Sequence, residues 1–301
     1  MNLIDAHAHV FDQLSGFGAD GELRAIGNGR ARWATGDVID LIPPGYGDTA
    51  FTAEALLRLM DENAVEKAVL LQGGFLGFQN DYLHETHRKY PDRFAVAATF
   101  DPFCRNAGKI LDHLLEDLRF TIFKFEMSTG CGIMGNHPDF PLDADWLMPF
   151  YERIAAMGGI LVFDLGSPGD GSNQPEAIAR IAEQFPTTQI VVCHLMSPRR
   201  NHRVELEHGL EVMKRETIHF DLSALHWKVR PESYPFPTAR EFTKIAKDRV
   251  GFERLMWGSD APSTLCHETF GYLVDYLLPE FTSSEAEKVF HDNALSLYFK
   301  S

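Results

Sequence analysis

The sequence predicts an α/β chain folded as a TIM (β/α)8 barrel. Three features carry that reading: short β-rich segments alternate with helical stretches, there are eight such segments, and polar residues gather at the carboxyl ends of several of them. In order the segments are LIDAHAH at 3–9, KAVLLQ at 67–72, FAVAAT at 94–99, TIFKFE at 121–126, ILVFDL at 160–165, QIVVCH at 189–194, IHFDLS at 218–223 and RLMWGSD at 254–260. Helices between successive strands imply a parallel sheet covered on its outer face, and eight units close into a barrel.

Individual helices follow from spacing. In DADWLMPFYERIAAMGG, Asp143 stands where a cap is expected. Trp146, Leu147, Phe150, Ile154 and Met157 recur at helical intervals, and Gly158-Gly159 marks the stop. Ser284 and Glu287 have capping-box spacing ahead of Val289 and Phe290, which predicts a terminal helix over 285–298 that seals the bottom or wall of the barrel. Two segments break the rhythm, and both follow a strand on the side where barrel enzymes keep their active sites. Residues 11–50 read as a long, weakly periodic lid or binding loop after the first strand, and WKVRPESYPFP at 227–237 follows the seventh.

The 301 residues, 45% hydrophobic, suffice for one large core, and no composition shift marks a boundary, so 1–301 is read as a single domain. A formal charge of -15 disfavours nucleic acid and anionic membranes as partners. No apolar run is long enough to cross a bilayer, and MNLIDAHAHV has no secretory pattern. Cys104, Cys131, Cys193 and Cys266 are scattered without a C-x-x-C pair, which points to reduced thiols and the cytoplasm. The expected partner is a small molecule, with a homo-oligomer possible.

Chemistry follows from the two-residue period of strands. Asp5, His7 and His9 share a face; Phe123 and Phe125 face the helices, leaving Lys124 and Glu126 toward the barrel axis; Asp164, His194, Asp221, Ser223 and Asp260 fall at or near strand ends. Burying so many ionisable groups is costly, and one divalent cation would relieve the cost by pairing with carboxylates and neutral imidazoles. Zinc suits His-x-His, and manganese is an alternative for a site richer in carboxylate. The run from Ser197 to Arg203 could hold a substrate carboxylate through Arg199, Arg200 or Arg203, as could Lys124, with Glu126 a further contact, although a solvated basic loop is the better reading for most of the run.

IDAHAHVF at 4–11, FKFEMS at 123–128, IVVCHLMSP at 190–198, RLMWGSDAP at 254–262 and HDNALSLYF at 291–299 together resemble the amidohydrolase superfamily. The match is to its branch of small barrels related to aminocarboxymuconate-semialdehyde decarboxylase, resorcylate decarboxylases and lactonases. The resemblance implies metal ligation by His7, His9 and Asp260, with Asp260 also the general base toward the metal-bound water. His194 would bind a second metal or polarise substrate. Asp164 stands where the family commonly has a histidine ligand, which makes it a candidate fourth ligand, and Lys124 invites a catalytic role. The expected activity is metal-dependent hydrolysis of a small, carboxylate-bearing lactone, ester or amide. Metal-dependent non-oxidative decarboxylation is the alternative, and the departure at Asp164 keeps open a barrel that only binds ligand.

Overall fold

The structure, a computed structural model, describes residues 2–299. Its strands in chain order are β1 (Leu3–Ala8), β2 (Gly16–Gly18), β3 (Gly21–Gly27), β4 (Arg30–Trp33), β5 (Val38–Asp40), β6 (Val65–Leu70), β7 (Phe94–Ala98), β8 (Ile122–Glu126), β9 (Ile160–Asp164), β10 (Ile190–Val192), β11 (Ile218–Asp221) and β12 (Leu255–Met256). β1 and β6 to β12 form one parallel sheet in that order, one strand from each β-rich segment of the sequence. The last strand returns to the first through Ala8 bridging Ala261, the His9 N–H donating to the Ala261 carbonyl at 2.9 Å, and the Asp260 N–H donating to the His7 carbonyl at 2.8 Å. This is the TIM-barrel architecture.

Side chains sort by strand parity. Ile122, Val162, Val191 and Met256 turn inward and meet Ile4, Ala6, Val69 and Leu71 in an apolar layer. Ala294, Leu297 and Tyr298 of the terminal helix pack against that layer and close one end of the barrel. Phe123, Phe125 and Phe163 turn outward; Phe125 and Phe163 meet Tyr151 of the helix Met148–Ala156 with ring centroids 5.2 and 5.6 Å apart. Each fully buried Phe contributes about 1.5–3 kcal/mol, so this covering layer is a main source of stability.

Four expectations need correction. Ile4 and Ala6 face the interior, so unbroken alternation would send Asp5 and His7 outward together. A register break between Asp5 and Ala8 resets the phase: Asp5 stays with Ser259, accepting from its N–H at 2.8 Å and its Oγ–H at 2.5 Å, while His7 joins the mouth. The helix expected to begin after Asp143 begins at Met148, because Pro149 is tolerated only in a first turn, and Asp143 instead pairs with Arg180. Trp146 and Met157, counted on its buried face, are exposed. The terminal capping box sits two residues earlier, between Thr282 and Glu285, and the helical run passes through a wider π turn at Lys288–Asp292 before Asn293–Tyr298.

The fourth correction concerns residues 11–50. They are not an aperiodic loop: β2 to β5 form a four-stranded antiparallel sheet. Its strands are three to seven residues long and bury few apolar side chains, chiefly Leu23, Ala31 and Trp33, so the sequence carries little alternation to detect. Among the described residues no helix is long and apolar enough to cross a membrane.

Candidate metal centre

At the carboxyl ends of the strands, His7, His194 and Asp260 bring three possible ligand atoms within 4.8 Å of one another. His9 stands beside them, its Nε2 3.0 Å from Asp260 Oδ1, while the His7 Nε2 is 3.7 Å from the same oxygen. Asp164 does not join the three-donor group; its Oδ2 lies 3.5 Å from the His194 Nε2. The side chain lies across from Glu126, its register partner on β8.

Hydrogen bonding on the far side of each ring fixes what these nitrogens present. His7 Nδ1 lies 3.0 Å from Asp221 Oδ2, a carboxylate that can only accept, so Nδ1 carries the proton and donates. His9 Nδ1 donates to the Leu71 carbonyl, with Gln72 Oε1 at 3.2 Å. His194 Nδ1 faces Ser223, 2.7 Å from its Oγ and 3.1 Å from its carbonyl; since the Ser223 hydroxyl donates to Asp221, its oxygen is free to accept from the ring. Each ring therefore turns its Nε2 toward a carboxylate: that of His9 is within hydrogen-bonding distance of Asp260, and those of His7 and His194 lie 3.7 Å from Asp260 and 3.5 Å from Asp164. Two acceptors that face each other repel unless a cation lies between them. The His7 Nε2 is fully buried and has no hydrogen-bond partner.

Charge states agree with a cation site. Burial holds His7 down at about 4, against the push of Asp221, so the ring is the neutral form that a metal requires. Burial would raise Asp221 and Asp260, but the hydrogen bond and charge of His7 on the first, and the His9 bond with the charges of His194 and His7 on the second, keep both well below the usual carboxylate range. His194 is the exception. Burial opposes its proton, yet Asp164, Asp221 and Asp260 outweigh that and raise it, so in this arrangement a proton and a metal would compete for its Nε2. Two neutral imidazoles and one carboxylate, with outer hydrogen bonds setting the tautomers, form a donor set that fits zinc or manganese.

Backbone strain serves the same geometry. Val191 and Cys193 continue the inward positions of β10, which would put His194 on the outer side; a run of left-handed residues from His194 to Ser197, with φ between 49° and 66°, turns it into the mouth. Asp260, at φ 56°, is left-handed as well. Non-glycine residues there cost about 1–2 kcal/mol each, and such costs concentrate at functional sites.

Above the centre lies a chamber of about 650 Å³. His9, Lys124, Glu126, Asp164, His194 and Asp260 form its floor, Trp33 and Val38 to Leu41 of the antiparallel sheet one wall, and Trp227, Lys228 and Arg199 another. Burial would lower Lys124, but Glu126, Asp164 and Asp260 hold it charged. Burial and the charge of Asp164 raise Glu126, which accepts the Gly74 and Phe75 N–H groups. A Cβ at Gly73 would lie 1.6 Å from Glu126 Oε2, so only glycine leaves room for that carboxyl.

The predicted arginines separate. Arg199 lines the chamber, Arg200 lines a neighbouring cavity, and Arg203 lies outside both, on the helix Arg203–Val212, where it pairs with Glu207 at 3.0 Å and with Glu241. Trp227 and Lys228 enter the chamber without any spacing signal to announce them. Asp221 was visible as an inward residue, but its role as the partner of His7 was not.

A family model described as amidohydrolase matches residues 4–300. Among solved structures, the chain is similar to a probable 2-pyrone-4,6-dicarboxylic acid hydrolase from Acinetobacter baumannii with citric acid bound, at 18% identity and a TM-score of 0.70 over 100% of both chains. An amidohydrolase from Burkholderia multivorans with bound zinc aligns at 15% identity and TM-score 0.72, again over 100% of both chains. A dihydroxybenzoic acid decarboxylase from a Polaromonas species, with manganese and the inhibitor 2-nitroresorcinol, aligns at 16% identity and TM-score 0.58 over 82% of this chain and 86% of its own. No curated protein matches the sequence.

Proposed function

The chain belongs to the amidohydrolase family and is an enzyme of that superfamily, and from this premise we propose that it hydrolyses a small, carboxylate-bearing lactone, ester or amide with the help of one divalent metal ion. One observation carries the proposal: three imidazoles, each with its Nδ1 engaged by an outer partner, converge with their Nε2 atoms on the carboxylates of Asp260 and Asp164, and that of His7 is buried without a hydrogen-bond partner. His7, His194 and Asp260 would hold the ion, with His9 bearing on Asp260 and Asp164 on His194. When bound, such an ion acidifies water and polarises a carbonyl oxygen.

The chain's own groups supply the rest. Asp260, kept ionised and partly open to the chamber, receives the proton of the attacking water. Lys124, charged and buried on the chamber floor, stabilises negative charge that develops on the substrate oxygen. Arg199 at the wall pairs with the substrate carboxylate. Glu126 favours a second reading, decarboxylation, because a carboxyl that burial pushes upward could return a proton to carbon.

Metal analysis of protein prepared without chelator, with turnover on a lactone and ester panel and a parallel carbon dioxide assay, tests both. About one zinc or manganese per chain and ring opening without gas supports hydrolysis. Gas release moves the assignment to decarboxylation, and failure to bind either metal removes both.

A further inference from the structure

Beside the chamber is a second cavity of about 410 Å³, lined by Arg199, Arg200, Asn201, Lys228 and Arg230. No acid lines it. The main chamber is different, since Asp20, Asp40, Glu126, Asp164, Asp170 and Asp260 all reach its surface. Among the described residues none of the four cations in the second cavity has a carboxylate within ion-pair distance, whereas Arg203, Arg240 and Arg249 close by in sequence each hold a glutamate. Glu268 acts on Arg230 only through space. The Arg230 guanidinium lies over the Trp227 ring, 3.4 Å from its centroid, so a rigid aromatic face rather than an acid fixes its position.

Four like charges around one concavity repel one another, and in a chain of net charge -15 their neighbourhood would be the natural place for compensating acids. Leaving them uncompensated creates a local positive field on a molecule that otherwise repels anions. Arg199 and Lys228 line both cavities, and the charge of Lys228 reaches Asp164 inside the chamber. The two spaces therefore share a cationic wall.

We propose that the second cavity is an anion-capture site, in which the carboxylate of an incoming substrate lodges against Arg200 and Arg230 before Arg199 and Lys228 pass it to the main chamber. The substrate's carboxylate is taken from the hydrolase reading, and the proposal rests on that reading for its cargo; the cavity's affinity for a small organic carboxylate does not depend on it. Carboxylate is favoured because paired guanidinium groups can offer it parallel N–H donors and the cavity has room for a small organic acid. A capture site acts on encounter more than on chemistry, so its loss should lower kcat/KM more than kcat and should flatten the dependence on salt.

The test uses the full chain and a probe of known charge. Succinate, and succinamide as its uncharged counterpart, are titrated at low and high salt by calorimetry and by tryptophan fluorescence, for which Trp227 under Arg230 is a local reporter. Succinate should bind the unaltered protein at low salt and weaken as salt rises, and succinamide should not bind. The exposed pair Arg200→Gln with Arg230→Gln should weaken succinate by about ten-fold or more, while the pair Arg200→Lys with Arg230→Lys, which keeps the charge but not the parallel donors, should weaken it less than the glutamine pair. Equal succinate binding by the glutamine pair, or no binding by the unaltered protein at low salt, overturns the proposal. Loss of binding in the glutamine pair alongside absent metal or absent lactone turnover would leave the capture site standing and sink the hydrolase reading instead.

Discussion

The two ends of the barrel interior are built from the same strands, yet they solve opposite problems. At the end closed by the terminal helix, Ile4, Val69, Ile122, Val162, Val191 and Met256 meet Ala294 and Leu297 in a dry apolar layer. At the other end the same strands deliver His7, Lys124, Glu126, Asp164, Asp221 and Asp260, all packed where water is scarce. The apolar end gains free energy from every side chain it buries. The polar end incurs desolvation at every one, and offsets it through a mesh in which Asp221 serves His7, His194 and Ser223, and Asp5 serves Ser259 and His7. Among the described residues of the donor group the pairing is incomplete at His7 Nε2, which is buried without a hydrogen-bond partner where it meets Asp260. Stability and function are thus separated along the barrel axis, by two residues from Ile122 to Lys124 and from Val162 to Asp164 and by four from Met256 to Asp260.

That separation can be broken from either side, and the largest effect is expected at the mouth. Asp260→Asn keeps the shape but removes the charge that completes the donor group, so turnover should fall by about a thousand-fold or more while the thermal midpoint stays near that of the parent. Near-parental turnover measured on the same preparation would move proton transfer to another group. The converse substitution is Met256→Ala in the apolar layer. It should cost about 2–4 kcal/mol in denaturant unfolding and leave metal content and turnover at native temperature close to unchanged. A large drop in metal content would show that the two ends are mechanically coupled.

Asp221→Asn probes the boundary between the ends, because this residue never faces the chamber yet sets the His7 tautomer. Metal affinity should weaken by about 10–100-fold, read by competition with a chelator, and His194 should lose part of its support as well. Unaltered affinity would mean that His7 needs no outer partner.

The smallest effect concerns His226, buried against Phe236 and Tyr276 with its Nε2 unpartnered. Burial holds this imidazole down at about 4, from an ordinary value of 6.5. The folded chain accepts only the neutral ring, so its contribution to stability is present above pH 6.5 and is lost as pH falls toward 4. His226→Phe should therefore soften acid destabilisation by about 2 kcal/mol at pH 5 relative to pH 7. Parallel denaturation curves that stay offset by the same amount at both pH values would rule out this residue as a contributor.

How much of this was legible in the residues differs from strand to strand. In β8 and β9, Phe-Lys-Phe-Glu and Val-Phe-Asp alternate cleanly, so Lys124, Glu126 and Asp164 could be assigned to the interior from the two-residue period alone. The same rule misplaced Asp5, because a register break inside β1 changes the face without changing a letter of the sequence. It was also silent on Trp227 and Lys228, which reach the chamber from a short helix with no period to read.

The sequence by itself determined the barrel, the order of its strands and the set of ionisable residues at one end, because strand period and the alternation of strand with helix are local properties written every few residues. Tertiary structure alone decided the rest. His194 enters the site through a left-handed turn, Asp164 meets His194 without joining the three-donor group, Arg203 pairs with Glu207 and Glu241, and residues 16–40 fold into a sheet that walls the chamber. The physical reason is that His194 against Asp164, Arg203 against Glu241 and the chamber wall against the barrel mouth are contacts between segments distant in the chain, and such contacts follow from barrel closure and packing, which no local pattern encodes.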